Sequence, residues 1–155
     1  NILFILEYWC NTMSWFFYAV GAAILWGLGY TINQITLKKF TAIELLFFES
    51  IVVGIVLGIY ILLSSQMNGL IIKLSNYKNL MLICLSTLIY TVASIFIFKS
   101  IKSSNASVAA IIESCYPLFT VLFGFLIFGK LSVSPVSLIG FVAILSGIIL
   151  IKIYS

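Results

Sequence analysis

The sequence predicts an all-α polytopic membrane protein with five transmembrane helices. Of its 155 residues, 63% are hydrophobic and only 8% are charged, with a mean hydropathy of +1.27. Soluble domains carry about 25% charged residues, so this composition cannot supply a water-facing surface. The apolar residues come in runs of about 20, the length a helix needs to cross a hydrocarbon core about 30 Å thick. Those runs are continuous rather than alternating, which argues for helices and against a barrel.

Each element follows in chain order. Residues 1–13 are an extension of unassigned role, too short to span and followed by no small-residue cleavage site. Met13 opens a stretch that reads well as a protein start. The first span is expected at about 15–34, closed by Lys38 and Lys39, and the second at about 43–63. A polar stretch follows, "SSQMNGLIIKLSNYKN". The third span is expected at about 80–98, ended by Lys99 and Lys102, and the fourth at about 106–128, closed by Gly129-Lys130. The fifth is expected at about 135–151, between Pro135 and Lys152. Trp9, Trp15 and Tyr154 suit interfacial anchors. Short connections make consecutive helices antiparallel neighbours within one membrane domain, residues 14–152.

Charge and composition exclude several functions. The net charge of +4 is carried entirely by lysines spread between apolar runs, which suits loop orientation and lipid headgroups rather than nucleic acid. Histidine and aspartate are absent, and Cys10, Cys84 and Cys115 are scattered. No catalytic residue, metal site or cofactor is therefore expected, and neither is an enzyme. No ring of like charges or carbonyl-rich filter motif suggests a channel. Five lysines (38, 39, 99, 102 and 152) fall on one side and three (73, 78 and 130) on the other. That bias favours an external N-terminus, by a margin small enough to let both orientations insert.

The candidate site lies on helix faces. At 100° per residue, Ala106, Ala109, Ala110, Glu113, Pro117, Thr120 and Gly124 fall within about 60° of Glu113, opposite a bulky face suited to lipid. A carboxylate at membrane depth costs about 3 kcal/mol on insertion scales and marks a functional position. Pro117 has no N–H for the carbonyl of Glu113, so a kink and a polar spot are expected together. The first span carries Trp26, Tyr30 and Asn33 on one stripe, suited to contact with an organic solute. The third aligns Ser86, Thr87, Tyr90 and Ser94. Glu49, nearer a helix end, is a second candidate carboxylate. Ser50, Gly54 and Gly58 form a small-residue ridge for helix packing, and Gly140 and Gly147 give the fifth span a similar side.

Two stretches resemble a known family. "ILWGLGYTINQITLKKFTAIELLFFE" resembles the first two helices of the EamA-type fold of the drug/metabolite transporter superfamily, and residues 96–151 resemble its last three. The shared parts are Ala106-Ser107-Val108, Tyr116-Pro117, Gly129-Lys130-Leu131-Ser132, and Gly140 with Gly147. Many relatives carry two such units, an arginine where Glu49 stands and a glutamate where Lys130 stands; this chain is similar to the single-unit, five-helix bacterial and archaeal branch. The resemblance implies a half-transporter unit in the cytoplasmic membrane that exports or exchanges small organic metabolites. Alternating access usually needs two halves around a midplane site, so the partner is expected to be a second copy or a paralogous five-helix chain. Glu113, with Glu49, is expected to couple transport to protons or another cation. The alternative is a non-transporting membrane subunit that uses its small-residue faces to hold a partner.

Overall fold

The computed structural model describes the backbone of residues 2–130 and 134–154, and side chains within 16–130, 134, 139–150 and 153. All regular structure there is helical: α1 (Ile2–Thr36), α2 (Ala42–Leu63), α3 (Met67–Leu74), α4 (Tyr77–Ser103), α5 (Ala106–Glu113), α6 (Tyr116–Phe128) and α7 (Pro135–Tyr154). Among the described residues, four stretches are long and apolar enough to cross a membrane: Phe16–Thr36, Ala42–Leu63, Tyr77–Ser103, and α5 with α6 as Ala106–Phe128. The 20 residues of α7, apolar through Ile139–Leu150, would reach about 30 Å at 1.5 Å per residue. The all-helical membrane fold stands, with four differences from the sequence reading.

The extension at residues 2–13 continues α1 rather than preceding it. The polar stretch after the second span contains α3, whose Met67, Leu70, Ile71 and Leu74 fall at the spacing of one helical face. Polar neighbours mask that short pattern in the sequence. The third span runs to Ser103 instead of residue 98, because lysines are good helix formers and nothing before Ser104 stops the ladder. The fourth span is interrupted at Ser114–Cys115.

The chain divides into two compact units, residues 1–34 with 106–155 and residues 35–105. In the second, α4 packs against both α2 and α3. A reciprocal cap starts α2: the Thr41 hydroxyl accepts the Glu44 N–H at 3.2 Å, and the Glu44 carboxylate accepts the Thr41 N–H at 2.8 Å. Asn76 starts α4 by accepting the Lys78 N–H at 3.0 Å. The Lys102 ammonium donates to the Phe40 carbonyl at 3.0 Å, tying the end of α4 to the turn before α2. The buried residues of this unit are Leu37, Ala42, Leu45, Phe98 and Ile101. In the first unit, α5 packs against α7, and the buried residues are Tyr30, Ala106 and Ala109.

Elsewhere the described Ile, Leu, Val and Phe side chains are largely exposed, as a lipid-facing surface requires. Hydroxyls within the spans mostly satisfy themselves on their own helix. Thr31 donates to the Gly27 carbonyl, Ser50 to Leu46, Ser86 to Ile83, Thr91 to Thr87 and Ser146 to Ala143. Ser50 and Ser86 are thereby closed off locally. Among the described residues, a Cβ built at Gly54, Gly58, Gly140 or Gly147 meets no atom within 4 Å.

Candidate functional site

The site begins where one span becomes two helices. Pro117 sits in the first turn of α6, a position where a missing N–H is tolerated. It leaves α5 without the donor that would have carried its ladder forward. The chain turns at Ser114–Cys115 instead. The Ser114 N–H reaches the Ala110 and Ile111 carbonyls at 3.0 and 3.2 Å, and the Cys115 N–H reaches Ile112 at 3.3 Å. Both side chains fold back as well: the Ser114 hydroxyl donates to the Ile111 carbonyl at 2.6 Å, and the Cys115 thiol to Ile112 at 2.8 Å. Carbonyls at the end of α5 are thus satisfied without helix, the condition for irregular backbone at membrane depth. The break lies just N-terminal to the proline, and Glu113 is the last residue before it.

The half-buried Glu113 carboxylate accepts a hydrogen bond from the phenol of Tyr30 on α1. Tyr30 is 8% exposed. Its ring packs against that of Trp26 one turn earlier, with centroids 5.6 Å apart. Tyr116, the first residue of α6, lies close enough to interact electrostatically with Tyr30. A second tie joins the same helices: the Gln34 side-chain oxygen accepts the N–H of Ala106 at 2.8 Å. Sequence reading missed Gln34, because its role depends on Ala106, which is 72 positions away in the chain.

The model of the EamA-like transporter family matches residues 13–153. The chain belongs to the EamA-like transporter family. No curated protein and no solved structure matches the chain. EamA-like membership and the apolar helices together make it a multi-pass membrane protein, and the family is one of small-solute transporters rather than enzymes.

The sequence candidates fall into three groups on this EamA-like chain. Tyr30, Glu113 and Trp26 are joined through ring and hydrogen-bond contacts, although Trp26 keeps much of its surface open. Pro117 is half-buried at the break, and Asn33 is half-buried on α1. Thr120 is exposed on α6 and returns its hydroxyl to the Tyr116 carbonyl at 3.2 Å. Tyr90, Ser94 and Glu49 belong to the other unit: Tyr90 is exposed, while Ser94 and Glu49 are half-buried. Of the family-like motif after the fourth span, Leu131 and Ser132 lie outside the described residues, as do the side chains of Trp9, Trp15 and Tyr154.

Proposed function

We propose that this chain is a secondary-active transporter of small organic metabolites, an exporter or exchanger in the cytoplasmic membrane that works by alternating access. The Tyr30–Glu113 hydrogen bond beside an interrupted span carries the reading. A carboxyl group at depth can take a proton or a cation, and its phenol partner can stay hydrogen-bonded to it as donor or as acceptor. A span in two pieces gives the carboxylate an element that can swing without unfolding either piece. Glu113 is the coupling group and Tyr30 its partner. Trp26 supplies an aromatic wall, while Asn33 and Thr120 supply polar contacts along the path.

Residues 14–152 act as one membrane domain, which supplies half of a rocking pair. The other half is a second copy inserted in the opposite sense, or a paralogous chain. The narrow lysine bias of five against three is what an inverted homodimer needs. The ridge of Ser50, Gly54 and Gly58 provides a close-packing surface for that partner.

The test is flux in liposomes containing this protein alone, driven by an imposed pH gradient, with a panel of radiolabelled amino acids, nucleosides and organic acids. Wild type should move at least one of them in a gradient-dependent way, and Glu113→Gln should abolish the pH dependence while inserting normally. Unchanged pH-dependent flux in Glu113→Gln rejects the coupling role. No flux of any solute favours a membrane subunit without transport of its own.

A further inference from the structure

The contacts between α1 and α5 occur at both ends of α5. At its start, the N–H of Ala106 is one of the donors that a helix leaves without an internal partner. The half-buried Gln34 side chain fills that need from another helix. At its end, seven residues on, Glu113 meets Tyr30. Seven residues are nearly two full turns, so Ala106 and Glu113 share a face of α5. Tyr30 and Gln34 are one turn apart and share a face of α1. Between the two ties, Ala106 and Ala109 are 5% and 2% exposed, so the α5 face that meets the ties is made of the smallest side chains that still favour a helix.

The two polar ties oppose each other in direction. The later residue of α1 meets the earlier residue of α5, and the earlier meets the later, so the helices run antiparallel here. Along the axes the ties are about 6 Å apart on α1 and about 10 Å apart on α5. The long Gln, Tyr and Glu side chains make up the difference. Just past Glu113 the turn at Ser114–Cys115 interrupts the ladder, so α5 and α6 are joined by a turn rather than by one continuous helix. The Gln34 tie is a polar contact at the end of α5 opposite Glu113, and α5 also packs against α7.

We propose that Gln34 is a positioning residue: by holding the first N–H of α5, it sets the placement of that helix along α1 at which the Glu113 carboxylate meets the Tyr30 phenol. The inference rests on Glu113 as the coupling group, yet it concerns geometry and has its own readout. Losing the Gln34 acceptor frees the start of α5 to slide or rotate on its alanine face, and the Tyr30–Glu113 bond lengthens or breaks.

Infrared spectroscopy of the full chain in liposomes of phosphatidylethanolamine and phosphatidylglycerol tests this. The Glu113 band is identified by its disappearance in Glu113→Gln. Tyr30→Phe gives the position of that band without a phenol partner. Gln34→Leu should move the wild-type band to the Tyr30→Phe position. Gln34→Glu retains an acceptor oxygen and should leave the band near wild type. Ala106→Pro removes the donor instead of the acceptor, at a helix position that accommodates proline, and should reproduce the Gln34→Leu shift. A wild-type band in Gln34→Leu or Ala106→Pro overturns the proposal, and so does a Gln34→Glu band displaced as far as that of Gln34→Leu. These readings do not depend on flux. A shifted band alongside a Glu113→Gln protein that retains pH-dependent transport would overturn the coupling role and keep the positioning role; an unshifted band alongside pH-independent Glu113→Gln would do the reverse.

Discussion

The phenol of Tyr30, buried on α1, donates a hydrogen bond to the Glu113 carboxylate at the last residue of α5. A phenol both donates to a carboxylate and remains partnered when that carboxylate is protonated, because its oxygen can accept in turn. The pair therefore satisfies either protonation state without moving a charge to lipid. A hydrogen bond to a charged group contributes about 1.5–3 kcal/mol.

Tyr30→Phe should slow solute flux by roughly tenfold or more, with the protein still inserted, since about 1.4 kcal/mol is a factor of ten. The ring contact with Trp26 survives in the variant, so a loss reports the hydroxyl. Flux within a factor of two of wild type, measured per reconstituted molecule, would remove Tyr30 from the mechanism.

Pro117→Ala restores an N–H four residues after Glu113. The expected outcome is a ladder that closes across Ser114–Cys115, slower amide exchange at residues 114–118, and reduced flux from a span that no longer bends. Slower exchange with full flux would show that the interruption is not what moves.

Gly129 ends α6 with φ 66°, its N–H on the Phe125 carbonyl at 2.8 Å. An added Cβ meets no atom within 4 Å there, so the cost of Gly129→Ala is conformational alone. It should be about 1 kcal/mol, read as a lower midpoint in detergent-induced unfolding. No shift would place the end of α6 in a different backbone conformation.

Thr41→Ala removes the hydroxyl half of the α2 cap and should cost about 1 kcal/mol in the same assay. Glu44→Gln keeps a side chain able to reach back to the Thr41 N–H and should cost less. Equal losses in the two variants would mean that charge, rather than the reciprocal bonds, holds the start of α2.

Orientation is open to direct labelling. In a cysteine-less background, Ser104→Cys and Gln66→Cys place thiols at two exposed connections. Each should react with an impermeant maleimide from both sides of the membrane. One-sided labelling of both would exclude the inverted homodimer and leave a paralogous chain as the second half.

The membrane fold was legible because its signal is composition over about 20 residues, which local detail cannot hide. Glu113 and Pro117 stood out for a related reason, since a charge and a missing donor are conspicuous in an apolar run. Tyr30 was legible only as one aromatic on a stripe; nothing local says that it faces Glu113 rather than a solute. Placing the break at Ser114–Cys115 required knowing that a hydroxyl and a thiol would both turn back onto carbonyls of α5. Gln34 gave no signal, because an amide near a helix end is ordinary until its partner from a distant segment is seen. Ser86 shows a further detail hidden from a helical wheel: its hydroxyl donates back to the Ile83 carbonyl of its own helix, as that of Thr120 does to Tyr116.

The few buried side chains have a mechanical consequence. One unit encloses Tyr30, Ala106 and Ala109, and the other Leu37, Ala42, Leu45, Phe98 and Ile101, among the described residues. So sparse an interior gives little cohesion, and the lateral pressure of surrounding acyl chains supplies the confinement that a dense core gives a water-soluble enzyme. Bilayer thickness and tail order then become tuning variables for this protein, so its unfolding midpoint and any flux it carries should depend on the lipid in which it is reconstituted.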